Sequence, residues 1–271
     1  MSLIWSTSLR LLSRGSWVLI HPQFRYLNKL TQGGMVAKLV QKVKSPSVKY
    51  YKEDFKASDG KTVHQHVVQA GDQILRQPSL PVNPKDISNP QIQTLVKRLK
   101  KMMKQFDGLG MSACQIGVPV QISAVQVTPE QLKIWPAELL SEQNVEVVPL
   151  TVMINPEVKV RDKTQVTFRE GCCSFLGMTA HVPRYKEISV SYLNENGEQV
   201  NDWIVRDWTA RIVQHEMDHL KGSLFTDFMK RDSLEFGYWK TVNEKGGDFK
   251  IWFLGKRSIF DKCKDLVTFQ S

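Results

Sequence analysis

The chain has 271 residues, 41% of them hydrophobic, and a formal net charge of +10 at pH 7. That length and apolar content support a sizeable core without disulfides, and four cysteines lacking paired spacing fit a reducing compartment rather than a disulfide-framed secreted scaffold. Residues 1–52 hold nine Lys/Arg and no Asp or Glu, which leaves 28 basic and 27 acidic residues in the remainder. The folded part is therefore nearly neutral, and a basic nucleic-acid-binding surface is not indicated.

Residues 1–45 read as a mitochondrial transit peptide. The first sixteen positions carry five serines, and on a helix Arg10 and Arg14 share one face while Trp5, Leu9 and Leu12 share another. The apolar stretch is short and interrupted by Arg14, too little for a membrane span, and no uninterrupted apolar core marks a secretory signal. Residues 46–64 are polar and basic, a linker or arm. The main folded domain is expected over 65–235, followed by an extension, 236–271, of uncertain role. Its final stretch from residue 240 contains Trp252, Phe253, Leu254 and Phe260 and reads as an extra helix or a docking tail, with packing as the commoner explanation.

Within the domain a helix is expected over 89–106. Asn89 and Pro90 make a good start, Ile92, Leu95, Val96, Leu99, Met103 and Phe106 give helical periodicity, and Gly108 stops it. The segment Gly108-Leu109-Gly110-Met111-Ser112-Ala113-Cys114-Gln115-Ile116-Gly117 then reads as a loop whose backbone approaches something closely. It follows a helix and lacks a third spaced glycine, so it is a poor dinucleotide loop. Strands are expected at 119–127, 151–160 and 165–168, and a hairpin over 188–205 around Asn196-Gly197. A second helix starts near Asp207, taken as its N-cap. Strand runs clustered between two helices indicate α+β rather than alternating α/β.

The second helix carries His215-Glu216-Met217-Asp218-His219. Histidines at i and i+4 share a helical face and can bind one metal ion, and the intervening glutamate can act as general base. Two histidines in ordinary surface contacts would be the bland explanation. Against it, Ala210, Val213, Met217 and Leu220 form one stripe while Trp208, Ile212, His215 and His219 form another, so the helix is mostly buried and its imidazoles need partners. No third ligand falls at the usual downstream positions. Phe225 stands where a third His would be, Tyr238, Trp239 and Lys240 stand where a Glu would be, and Glu235 and Glu244 are displaced. The best upstream candidate is a cysteine within Glu170-Gly171-Cys172-Cys173-Ser174, after a strand-like run, although a lone cysteine is more often a small buried hydrophobe.

These three segments together resemble the peptide deformylase family in its animal mitochondrial form. The family pattern reads Gly-x-Gly-x-Ala-Ala-x-Gln, then Glu-Gly-Cys-x-Ser, then Gln-His-Glu-x-Asp-His, and here Gly108 to Gln115, Glu170 to Ser174 and Gln214 to His219 follow in that order. Gly71-Asp72-Gln73-Ile74-Leu75-Arg76, Val182-Pro183-Arg184 and His219-Leu220-Lys221-Gly222-Ser223-Leu224-Phe225 extend the likeness over roughly residues 65 to 230. The resemblance implies an α+β fold with mixed antiparallel β-sheets around a central metal-binding helix. It implies Cys172, His215 and His219 as metal ligands and Glu216 as the acid/base residue. Gln115 and the backbone N–H of Cys173 would polarise the formyl oxygen. Leu109, Gly110, Gly171 and Ile212 would contact substrate, Leu109 and Ile212 lining an apolar pocket for the methionine side chain.

The implied reaction is metal-dependent removal of formyl from the initiator N-formylmethionine of nascent, mitochondrially synthesised chains in the matrix. One divalent ion is implied, Fe(II) foremost, with Zn, Co or Ni able to substitute. The mitochondrial ribosome is a further partner, with neither nucleic-acid binding nor a membrane span. Three departures stand out. Ser112 replaces an alanine, a small change. Cys173 stands where bacterial members usually carry leucine, and Thr179 where some carry an arginine of the substrate groove. Arg211, one turn before His215, either reaches the pocket rim or is a solvated charge. The alternatives are a His-Glu-x-x-His metalloprotease, a cysteine hydrolase with Cys172 attacking, and an inactive metal-stabilised organellar protein.

Overall fold

The computed structural model describes residues 66–251 and 253, so the expected transit peptide and the whole of the basic arm lie outside the described residues, as do Trp252 and everything after Phe253. Among the described residues, no helix is long and apolar enough to cross a membrane.

Helix α1 runs Pro90–Gln105. Asn89 caps it by accepting from the Gln91 N–H, Pro90 fills a first-turn position that needs no N–H, and the expected apolar positions are the buried ones. Its end differs from expectation. Asp107, not Gly108, takes the left-handed conformation (φ 53°), and the Gly108 N–H donates to the Met103 carbonyl at 2.9 Å. The carboxyl-bearing residue tolerates this backbone because its side chain is tied down, accepting from the Gln131 side-chain amide at 3.0 Å.

The segment expected as a loop is a short strand, β1 (Gly110–Ser112), running into a 3₁₀ turn, Ala113–Ile116. Strand β2 (Ile122–Val127) pairs with β1, and two short helices follow, α2 (Pro129–Leu132) and α3 (Ala137–Glu142). Strand β3 extends Val148–Cys172, far beyond 151–160, and β4 spans Phe175–Leu193. The polar run 161–165 looks like a connection, yet β4 supplies backbone partners along it, with three register shifts between Ile154 and Gln165. A partner's backbone ladder, not the side-chain pattern, keeps this segment extended. Strand β5 (Gln199–Arg206) completes the expected hairpin.

The six strands form one sheet in the order β1-β2-β3-β4-β5, every pair antiparallel, with β6 (Glu235–Phe236) added to β4. Helix α4 (Asp207–Leu220) follows β5, and α5 (Trp239–Glu244) follows β6, so part of the expected C-terminal extension does form a helix. The α+β class is as expected. Two cores flank the sheet. In one, α1 residues such as Leu95 and Leu99 pack on Met111, Ile122 and Ile154; in the other, Val213 and Met217 of α4 pack on Val125, Ile188 and Val190.

The start of α4 also differs. Arg206 is its N-cap, while Asp207 has φ 48° and its carboxylate accepts from the Asn144 side chain at 3.1 Å instead of from a helix N–H. The other end is fixed by contact. Gly222 has φ +74°, and a Cβ there would lie 2.7 Å from the Arg76 carbonyl oxygen. Backbone has little room to yield, so Gly222→Ala should destabilise the protein by at least about 1 kcal/mol. Urea unfolding checks this, and an unchanged midpoint would show that the Arg76–Gln77 segment gives way.

A buried ion cluster behind a Cys-His-His group

Three structural units bring the site together. The β3–β4 hairpin places Cys172 at its tip, α4 supplies His215, Glu216 and His219, and the 3₁₀ turn supplies Gln115. Backbone bonds lace the amino-terminal segment between them. The Val68 N–H donates to the Gln115 carbonyl and the Ala70 N–H to the Ser174 carbonyl, each at 2.8 Å. The buried faces of α4 agree with the two-stripe reading of its sequence.

Cys172, His215 and His219 each offer a ligand atom, and these atoms lie within 4.8 Å of one another. They are the only such cluster among the described residues. Cys172 Sγ is 3.3 Å from His219 Nε2 and accepts from the Ser174 N–H at 3.3 Å, a contact suited to a thiolate. His215 Nδ1 lies 3.1 Å from Glu170 Oε2, which directs its other nitrogen toward the cluster. A soft sulphur and two imidazoles, one of them oriented from behind by a carboxylate, make a donor set that fits a borderline or soft divalent ion. His219 Nδ1, by contrast, is buried without a partner.

Behind the ligands sits a buried ion cluster. Glu170 accepts from Arg184 Nε and Nη2, both at 2.9 Å, and from Arg211 Nη1 at 2.6 Å. Arg184 also donates to Asp218, and Arg211 to the carbonyls of Val182 and Val166 at 2.8 and 2.7 Å. Two carboxylates thus face two guanidiniums. Burial by itself drives the Glu170 carboxyl up, but the hydrogen bonds and charges of Arg184 and His215 outweigh it and hold the group well below the usual carboxylate range.

Arg211 is not a solvated charge; it reaches the pocket, the other of the two expectations. It is 2% exposed, lines the pocket wall and lies 5.3 Å from the Phe168 ring centroid. The signal for it was present in the sequence: Arg211, His215 and Asp218 recur at i, i+4 and i+7 on a buried helix, where charges need partners. Arg184 and Glu170 lie on strands and carry no comparable local signal.

Burial is the largest single influence on both histidines, but only for His219 does it decide the outcome. His219 is kept neutral by burial and by the charges of His215 and Arg184. For His215, burial favours the neutral ring, but hydrogen bonds and charges from Cys172 and Glu170 overcome it and raise its pKa well above the ordinary value. Burial also pushes Glu216 up to about 7, against the opposing pull of the His215 charge and a Ser112 hydrogen bond. Ser112 Oγ donates to Glu216 Oε2 at 2.7 Å, so the alanine-to-serine departure is not a bystander.

Gln115 is almost fully buried and is pinned through its oxygen, which accepts from the Ser112 N–H at 2.8 Å. Its nitrogen faces Ser174 Oγ at 3.2 Å and Cys172 Sγ at 3.5 Å. A cavity of about 230 Å³ opens onto Glu216 and His215, lined also by Leu109, Trp208 and Ile212 and by Cys173. Thus all the expected site residues converge: Gly110, Gln115, Gly171, Cys172 and Thr179 also line this cavity, and His219 alone stands behind it.

The polypeptide deformylase family model matches residues 64–235. The chain belongs to the polypeptide deformylase family. It is 41% identical over 179 residues to the human protein named peptide deformylase, mitochondrial, covering 66% of this chain and 73% of that protein. With Arabidopsis thaliana peptide deformylase 1A, chloroplastic/mitochondrial, it shares 36% identity over 163 residues, 60% of each chain. The crystal structure of the class I type b enzyme from Acinetobacter baumannii with Met-Ala-Ser bound has 27% identity and a TM-score of 0.53, covering 60% of this chain and 96% of that one. Membership carries the enzyme class, a peptide-deformylating hydrolase of a metal-dependent family.

Removing Glu170 would leave two buried guanidiniums with Asp218 as their one carboxylate partner, on Arg184. We expect Glu170→Ala to lose about 3–5 kcal/mol of stability, measured by urea unfolding. A loss of the size typical for a surface pair would mean that solvent reaches the cluster.

Proposed function

We propose that this deformylase removes the N-formyl group from the initiator methionine of nascent, mitochondrially made chains in the matrix. The observation carrying the proposal is the convergence of Cys172, His215 and His219 beside Glu216 against an apolar cavity. The compartment rests on the acid-free, serine-rich leader, with the domain division at residues 1–45, 46–64, 65–235 and 236–271. Docking to the mitochondrial ribosome belongs to the same reading, since the substrate emerges there.

Cys172, His215 and His219 would hold the metal, Fe(II) by preference, with Zn, Co or Ni accepted by the same soft donor set. When bound, the ion supplies Lewis acidity, activating a water and polarising the formyl oxygen. The chain's own residues do the rest. Glu216 takes a proton from the attacking water and returns it to the departing amine as the C–N bond breaks, so formate and a free amino terminus leave. Gln115 and the Cys173 backbone N–H donate to the oxygen on which negative charge builds. With its oxygen fixed by Ser112, Gln115 presents its nitrogen to the cavity, and the long contact to Cys172 is the bond a substrate oxygen replaces. Leu109 and Ile212, with Trp208, receive the methionine side chain, while the backbones of Gly110 and Gly171 approach the peptide.

The test is formate release from formyl-Met-Ala-Ser by anaerobically purified protein without the leader, with metal content assayed in parallel. Turnover should fall at least about a hundredfold in Glu216→Ala while the metal stays bound. Full activity in a pure preparation of that variant would remove Glu216 from its role. Cys172→Ser should lose most of its metal, and unchanged stoichiometry would place the third ligand elsewhere. Formate-free cleavage of internal peptide bonds would favour a metalloprotease instead.

A further inference from the structure

Glu216 is fenced on both sides by β1, although it belongs to α4. At Gly110, an added Cβ would collide with Oε1, Cδ and Cγ of Glu216, so only a bare Cα leaves that carboxylate its place. Two residues on, and on the same face of the strand, Ser112 Oγ reaches Oε2 at 2.7 Å. Ser112 is directly opposite Ser123 of β2, and the two hydroxyl oxygens are 2.8 Å apart. Both serines are fully buried.

A hydroxyl has one proton to give. Ser112 Oγ has two acceptors on Glu216, Oε2 at 2.7 Å and the main-chain carbonyl at 3.2 Å; with the carboxylate ionised its single proton goes to the nearer, charged Oε2, and Ser123 then donates to Ser112. The result is a one-way chain, Ser123 to Ser112 to Glu216, ending on Oε2. The remaining oxygen, beside Gly110, is left as the proton acceptor. A free Glu side chain has three rotatable bonds, and a general base works only when its lone pair is aimed at the proton it takes.

We propose that the Ser112–Ser123 hydroxyl pair is a positioning device for Glu216, fixing which carboxylate oxygen faces the substrate. The inference rests on the deformylase reading of the site. Neither serine touches the reacting atoms; Ser112 acts through Glu216 and Ser123 through Ser112. The alanine of the family pattern lacks the hydroxyl, so the device is an addition in this chain rather than a requirement of the chemistry.

The test is a double-mutant cycle of Ser112→Ala and Ser123→Ala, assayed with formyl-Met-Ala-Ser and metal-loaded protein. One charge-assisted hydrogen bond corresponds to about ten- to a hundredfold, so kcat of Ser112→Ala should fall by that factor. KM and metal stoichiometry should match wild type. Ser123→Ala should lower kcat by less, about two- to fivefold, the support of a single bond, and should add nothing once Ser112 is alanine. A crystal structure of Ser112→Ala should show the Glu216 carboxylate rotated or spread over two conformers. Unchanged kcat in either folded single variant, additive losses, or a parallel loss of metal would overturn the proposal. Inactive wild-type protein under the same conditions would instead strike the deformylase reading itself.

Discussion

The buried carboxylate of Glu170 is the constraint on which the rest of the site depends. It lies two residues before Cys172 near the end of β3 and takes hydrogen bonds from β4 through Arg184 and from α4 through Arg211 and His215. An ionised group placed there without partners would be strongly unfavourable, so the hairpin and the helix dock where the donors can reach. Two arginines against Glu170 and Asp218 leave the cluster neutral overall. That neutrality allows a hairpin bearing Cys172 to be pressed against a helix bearing two histidines.

Geometry at the ligands follows from that docking. Because Glu170 engages Nδ1 of His215, the ring's other nitrogen is the one turned toward Cys172 and His219, and the tautomer is set from behind. The same carboxylate therefore has two effects, clamping β3 to α4 and orienting a ligand. A change at Glu170 propagates to fold stability and to the metal site at once, and the two effects are not separable by a single substitution.

The cavity is assembled from both sides of the family match. Most of its lining belongs to β1, the hairpin tip and α4, whereas one wall includes Tyr238, beyond the matched residues. Strand β6 brings that wall in by pairing Phe236 with Met178 and Glu235 with Thr179, reinforced by the Gly237 N–H donating to the Gly177 carbonyl at 2.8 Å. Thr179 is thus a site of strand addition as well as a position in the groove. The side chain that stands there has a backbone role that residue type alone does not disclose.

Local physics made much of this legible in the sequence. Histidines four apart on a helix apolar on two sides specify a pair of rings on one buried face, Asn89-Pro90 specifies a helix start, and Asn196-Gly197 a hairpin, because each signal lies within a few residues of its consequence. The length of β3, the left-handed Asp107 and Asp207, and the burial of Arg211 were decided elsewhere. Each depends on a partner distant in the chain: the β4 ladder, the Gln131 amide, the Asn144 amide and the Glu170 carboxylate. Ser112 shows the division most clearly. Its sequence reads as a minor replacement of alanine, and only the packing of α4 across β1, more than a hundred residues later in the chain, sets its hydroxyl against Glu216. Helical period and turn chemistry are properties of neighbours along the chain, whereas charge pairing and the aim of a carboxylate are properties of neighbours in space.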